Sequence, residues 1–299
     1  MSTDLCMADV SYLGDDDSEF FRTVHTRSLN TLNSRYMLPV DRDEVKRSEL
    51  HHRLLQFVFG GKNYIGPVKQ ALQFGQQRRI LDLGTGGGFW AINMADDFPR
   101  AEVIGVDLAP IQPRTVPPNC TFELCDLDQR NIPYPDNHFD FIHARSIHTG
   151  IHDYPRFLEE IARVLRPGGL ILLVEPSLIP IVDGKPATEY ANGTELRDTT
   201  VPERLTDLLA TNEAFEKVVV QDGNIPVGFW PSDQNLLTVG QLQWMDYELF
   251  LPALKPFFLC SGLPEAKAER IISDAQRDLY YPSLPLSAQL HIVYASKCL

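Results

Sequence analysis

The sequence predicts an α/β fold built on a mostly parallel sheet with helices on both faces. Three observations carry that prediction. Ile80 to Met94, ILDLGTGGGFWAINM, joins an apolar run to a glycine cluster, and a helical pattern follows with Trp90, Met94 and Phe98 at four-residue spacing. From Arg79 to Val174, short apolar runs alternate with loops and helical patterns, as parallel strands with crossover helices do. Leu170 to Val174, LILLV, is apolar at every position, as expected of a central strand covered on both faces.

The elements follow in order. Residues 1–20 read as a loose acidic tail carrying Asp15, Asp16 and Asp17. A helical pattern begins near Glu19 with Phe20, Phe21, Val24 and Leu29. Pro39 holds Leu38 extended and breaks it. Asp41 or Asp43 caps a helix reaching Phe59, with Val45, Leu50, Leu54, Leu55 and Val58 in its stripe. Gly60-Gly61 ends that helix, and a short helix from Val68 to Phe74 follows. Residues 21–76 therefore read as an N-terminal helical cap and 77–299 as the main domain.

Within that domain, the strands are Ile80–Leu83, Val103–Val106, Thr121–Leu124, Phe139–His143 and Leu170–Val174. Helices Trp90–Asp97 and Tyr154–Leu165 cross between them, and Pro167-Gly168-Gly169 makes a turn. Pro110, Pro113, Pro117 and Pro118 leave loop after the second strand. A helix from Thr194 to Asn212, a sixth strand Val218–Val220, helices Gln234–Leu251 and Pro264–Leu279, and a seventh strand Leu290–Ala295 complete the chain. The sixth and seventh strands enclose a helical insertion at about 222–288, far longer than an ordinary connection. It either covers the sheet or walls a substrate pocket, and one segment can do both. Trp230, Trp244, Tyr247 and Phe250 could line such a pocket, or simply pack as core.

Composition narrows the function. A formal charge of −13 over 299 residues argues against nucleic acid, whose phosphates call for clustered Lys and Arg. No basic amphipathic helix or long apolar run points to a membrane. Cys6, Cys120, Cys125, Cys260 and Cys298 are scattered without a C-x-x-C, so reduced thiols and no metal site are expected. With no secretory pattern at the N-terminus, the expected location is cytoplasmic, with the nucleus as the alternative.

The glycine turn is where the chemistry lies. A strand, a Gly-x-Gly turn and a helix start bring bare backbone and unpaired N–H groups up to a nucleotide-like ligand. Asp107 ends the second strand about twenty residues later, the spacing at which a carboxylate accepts from ribose hydroxyls. NAD and S-adenosylmethionine both present such hydroxyls. Asp126, after the third strand, separates the two, because a carboxylate there can accept from the adenine amine in methyltransferase-type folds.

At this point the blocks ILDLGTGGGFWAINMADDFP, VIGVDLAPIQP, VPPNCTFELCDLD, FDFIHARSI and LRPGGLILLVEP stand in order. Together they resemble a class I S-adenosylmethionine-dependent methyltransferase, and more narrowly the fungal LaeA-like methyltransferases. YMLPVDRDEVKRSELHH resembles the N-terminal cap motif of that family, and GTGGGFW stands where GTGTGIW is usual. The resemblance covers roughly residues 35–176. It implies a Rossmann-like, seven-stranded sheet with an antiparallel last strand. It also implies S-adenosylmethionine as cofactor: Gly84 and Gly86 against its methionine part, Asp82 supporting the loop, Asp107 on the ribose, Leu108 against adenine, and Asp126 with Leu127 at the adenine edge. Ala144 and Arg145 would line the sulfur side, and Tyr36, Arg47 and His51 would close the cap.

Methyl transfer needs alignment above all, and a base only where the acceptor arrives protonated. His148 is the first candidate base and His152 the second, each opposed by a packing role; Glu175 would orient substrate or cap a turn. His143, inside a strand, reads as structural. The expected partner is a small-molecule methyl acceptor, a fungal secondary metabolite methylated on oxygen rather than nitrogen. A homodimer or protein partner is compatible. The competing function is a LaeA-like nuclear regulator of secondary metabolism acting through protein complexes; the lack of a Lys/Arg-rich run leans against it. An NAD-dependent enzyme is disfavoured by the downstream blocks.

Overall fold

The computed structural model describes residues 17–73, 77–129, 131–177, 181–182, 185–186, 200–282 and 284–299. The expected acidic tail thus lies outside the described residues up to position 16, as does the start of the helix expected from Thr194.

The N-terminal part departs from the all-helical cap. Strands β1 (Phe21–Val24) and β2 (Arg27–Asn30) form an antiparallel hairpin where the sequence predicts a helix. His25 and Thr26 turn it with φ of 47° and 70°. A two-residue hairpin of this kind is ordinarily signalled by Asn-Gly or Asp-Gly. His-Thr carries no such signal, and the few apolar residues fit either period. Helix α1 (Arg42–Val58) starts as expected, with the Asp41 carboxylate accepting from the Glu44 amide. Arg27 clamps the same carboxylate, tying hairpin to helix. Gly60 and Gly61, both at positive φ, end the helix, and α2 (Val68–Gln73) follows.

The main sheet then builds outward from β3 (Arg78–Leu83). It is followed by α3 (Phe89–Asp97), β4 (Ala101–Asp107), β5 (Cys120–Leu124), β6 (Phe139–Arg145), α4 (Tyr154–Val164) and β7 (Leu165–Pro176). The pairs β5–β4–β3–β6–β7 are all parallel. The predicted turn Pro167-Gly168-Gly169 lies inside β7, where its register against β6 shifts. Two short strands, β8 (Ile181–Val182) and β9 (Lys185–Pro186), follow, and then α5 (Val201–Ala210), β10 (Phe215–Val220) and β11 (Gly223–Val227). Helices α6 (Gln234–Ala253), α7 (Lys255–Cys260) and α8 (Glu265–Tyr280) precede β12 (Leu286–Lys297).

β12 runs antiparallel between β7 on one side and β10 and β11 on the other. The sheet contains ten strands against the seven expected. The surplus has a simple source. β8 extends the β7 side of β12, β9 hangs from β8, and position six is split into β10 and β11. β11 also means that the insertion opens on a strand and is not purely helical.

The buried residues fall on the two faces of the sheet. One face packs against α4 and α5, with Phe157, Leu158, Ile161 and Leu205. The other packs against α1, α2, α3 and α6, with Leu54, Leu55, Val68, Trp90 and Met94. β7 is buried from Leu170 to Glu175, as a doubly covered strand requires.

Candidate functional site

The C-terminal ends of β3, β4 and β6 are neighbours, so the segments that follow them converge. The turn after β3 has Gly84 at φ 69° and Gly86 at φ 55°. A Cβ on Gly84 would stand 2.4 Å from Ile147 Cγ2, which only glycine avoids. The Thr85 amide donates to Val106 O and its hydroxyl to Asp82 Oδ2 at 2.6 Å. Asp82 Oδ1 meets His143 Nδ1 at 2.8 Å, and the His143 ring stacks on Trp90 at 3.8 Å. Asp82 therefore supports the turn from beneath, and His143 is built into the core.

Asp107 ends β4. Its Oδ2 accepts from the Gly86 amide and its Oδ1 from the Leu108 amide, each at 2.7 Å. The Ala109 amide acts on it as well, and with about four acceptor positions the carboxylate keeps room for a ribose hydroxyl. Burial pushes this carboxyl up to about 6, against the pull of the amides that donate to it. Leu108 is half-buried beside it. Asp126, beyond β5, accepts through Oδ1 from the Asn33 amide and the Asp128 backbone, while Leu127 packs on the core.

Ala144 is fully buried in β6, and Arg145 follows at the strand tip. Burial drops the Arg145 guanidinium to about 10. Both its terminal nitrogens face His52 Nδ1 at 3.4 Å. Burial, aided by Arg145, pushes His52 down to about 2, so the imidazole is neutral and can accept. The cation thus points at a neutral acceptor beside the glycine turn.

Of the three predicted cap residues, Tyr36 packs on the turn around Gly150. Arg47 is bound to Glu44 at 2.6 Å and Asp246 at 3.0 Å and lies over the Phe250 ring. His51 bridges Asp246 Oδ2, at 3.1 Å, and Ser146 Oγ, at 3.2 Å. The resemblance places Arg47 and His51 with Tyr36 in a cap over the cofactor; in the structure both are engaged with the insertion helix α6.

His148 is 2% exposed, and its Nδ1 meets Glu175 Oε2 at 2.8 Å. The same buried carboxylate takes the Ile147 amide and the Tyr154 hydroxyl. His148 Nε2 is buried and has no hydrogen-bond partner among the described residues. His152 stands apart: its side chain is exposed and lines a cavity with Tyr154, Val201 and Arg204, while its amide donates to Asp128. Of the aromatic residues considered for a pocket, Trp244 meets Phe229 and Tyr280 edge-on, and Trp230 is exposed with its Nε1 on Leu286 O.

Sequence reasoning missed His52, Ser146 and Asp246. The i, i+4 spacing of Arg47 and His51 put both on one helix face, but nothing local named their partner. The groups that do converge suit an adenosyl ligand with an amino-acid tail: a bare glycine turn, a carboxylate for a ribose hydroxyl and a cation for a carboxylate.

Comparison with known proteins agrees with this chemistry. Residues 80–169 match the family described as a methyltransferase domain. The chain is 30% identical over 287 residues to the secondary metabolism regulator laeA of Coprinopsis cinerea, covering 88% of this chain and 70% of that one. It is also 30% identical over 225 residues to the methyltransferase pytC of Aspergillus terreus, covering 71% and 67%. Among solved structures, a Haemonchus contortus phosphoethanolamine N-methyltransferase 2 with S-adenosylhomocysteine aligns over 91% of this chain and 62% of that one, at 18% identity and a TM-score of 0.48.

Proposed function

Because the chain belongs to the LaeA-like S-adenosylmethionine-dependent methyltransferases, we propose that it methylates a small molecule, on oxygen. When bound, S-adenosylmethionine supplies an electrophilic methyl group on its sulfonium. The residues present fit it: Gly84 and Gly86 would leave room for its amino-acid end, and Asp107 would hold the ribose. Asp126 and Leu127 would flank the adenine edge, and Arg145 would meet the charged tail.

The observation that carries a small acceptor is the position of α6. Asp246, in the insertion, reaches within hydrogen-bond distance of His51, which in turn reaches Ser146 at the β6 tip. The insertion thus comes down onto the strand ends as a wall, narrowing the approach to the methyl group. His148 and Glu175 then have a positioning role. Clamped to each other beneath the 147–150 turn, they fix the loop on which Ser146 sits.

The test is to incubate the protein with methyl-labelled S-adenosylmethionine and an extract of its source organism. Label in a solvent-extractable small product supports the proposal; label confined to protein overturns it.

A second reading, a regulator acting through a protein complex, is favoured by one surface. Phe229, Trp230, Tyr280, Tyr281 and Leu284 are all exposed, Tyr281 by 80%; Phe229 and Tyr280 meet through Trp244, and Tyr281 lies against Tyr280. Recovery of a stable protein partner that Tyr281→Ser and Phe229→Ser abolish would support that reading.

A further inference from the structure

Ser146 stands in a conformation that serine rarely adopts. It directly follows β6, at φ 56°, and its amide donates to Val174 O. A residue in this region stores roughly 1–3 kcal/mol and persists where its surroundings hold it. Here the hold is chemical. Ser146 Oγ lies 3.2 Å from His51 Nε2, and His51 Nδ1 lies 3.1 Å from Asp246 Oδ2. Serine, histidine and aspartate come from β6, α1 and α6, three elements far apart in the chain.

The direction of the hydrogen bonds follows from Asp246. Burial works to raise its carboxyl, but His51 and Arg47 outweigh burial and hold it below the usual range. An ionised carboxylate can only accept, so His51 Nδ1 carries the hydrogen and Nε2 accepts from the serine hydroxyl. Ser146 and His51 are both partly exposed, the His51 side chain by 14%, whereas that of Asp246 is buried at 4%.

The same three residue types serve nucleophilic acyl chemistry elsewhere, but that use lacks its other half here. The amides following Ser146, those of Ile147 and His148, donate to Glu175, so they are turned away from any oxyanion. What the row can do is move a proton.

Resting on the methyl-transfer reading above, we propose that Ser146, His51 and Asp246 form the proton relay that deprotonates the hydroxyl of the methyl acceptor. The acceptor O–H gives its proton to Ser146 Oγ as the serine proton passes to His51 Nε2. The imidazolium is stabilised by Asp246 and later releases one proton to solvent, so one proton leaves per methyl group transferred. The relay also gives Arg47 its purpose, since its bond to Asp246 Oδ1 leaves Oδ2 aimed at His51. Besides Asp246 on α6, the charged or titratable groups that act on His51 or share its partner are His52 and Arg47, both on α1.

The full chain, as wild type, His51→Gln, Asp246→Asn and Ser146→Ala, tests this in three measurements. Calorimetry with S-adenosylhomocysteine comes first; the variants are expected to bind within about threefold of wild type, because His51, expected from the resemblance in the cap, has both ring nitrogens engaged by Ser146 and Asp246. No binding by the wild type would refute the cofactor reading and leaves the relay to the second measurement. Nitrogen NMR at pH 8, with His51 assigned from its loss in His51→Gln, is expected to find Nδ1 protonated and Nε2 bare. The opposite tautomer, or an imidazolium at that pH, overturns the relay. Label transfer to the extractable product is expected to fall about 100-fold in His51→Gln at pH 7, a typical size for loss of a positioned base. That loss should shrink as the pH rises and the acceptor ionises unaided. A loss that stays constant with pH, or turnover equal to wild type, also overturns it.

Discussion

Asp107 Oδ2 accepts a hydrogen bond from the Gly86 amide at 2.7 Å, so the end of β4 and the turn after β3 move as one piece. A ligand that takes the remaining acceptor positions of Asp107 is thereby registered against the glycine backbone.

That relationship sets a pH dependence. The Asp107 carboxyl is pushed up to about 6 by burial. Hydroxyl recognition needs the ionised form. S-adenosylhomocysteine affinity should therefore fall as the pH drops below about 6, by up to about tenfold per pH unit. In the ligand-free protein the sign reverses. A carboxyl whose folded pKa lies above its unfolded value contributes stability at low pH and loses it as the pH rises through the folded value. Calorimetry and melting of wild type against Asp107→Asn, from pH 5 to 8, check both; Asp107→Ala should bind markedly more weakly than wild type throughout.

Arg145 should read the amino-acid end of the cofactor. Arg145→Gln is expected to weaken S-adenosylhomocysteine about 10- to 100-fold, the worth of a charge-assisted hydrogen bond. 5′-Methylthioadenosine, which has no carboxylate, should bind that variant as well as it binds wild type. Equal losses for both ligands would place Arg145 elsewhere.

Glu175 is fully buried and takes His148, Tyr154 and the Ile147 amide together. Removing a carboxylate from such a cluster strands its donors. Glu175→Ala should cost about 3 kcal/mol in urea unfolding. His148→Ala should cost less, because its Nε2 has no hydrogen-bond partner among the described residues.

Gly84→Ala should be destabilised twice over, by the positive φ and by the methyl of Ile147. The first part is roughly 1–2 kcal/mol and remains whatever the neighbour. The second should vanish in Gly84→Ala/Ile147→Ala, so the two substitutions should be non-additive. Additive unfolding energies would mean that the contact is relieved some other way.

The parts of the site readable in the sequence are those whose logic is local. Gly84, Gly86 and Asp107 belong to one strand–turn–helix–strand unit whose spacing marks them, while the place of Asp82 under the turn came with the family resemblance. The hairpin at Phe21–Asn30 escaped because His25-Thr26 carries no turn signal. Ser146, His51 and Asp246 escaped for a different reason. The two bonds that join them span 95 and 195 residues, and only the packing of α6 on α1 brings them together. His148 was visible as a histidine after a strand, but its burial against Glu175 depends on the neighbouring strand and could not be read from its own segment.

β12 touches four other strands and is placed late in the chain. While a ribosome is still making residues before 286, β7 and β10 have no strand between them, and their edges are open to any extended chain nearby. The sheet can close only when the missing piece emerges and slides into the slot. Until then the nascent protein depends on chaperones or on speed to avoid sticking to its neighbours.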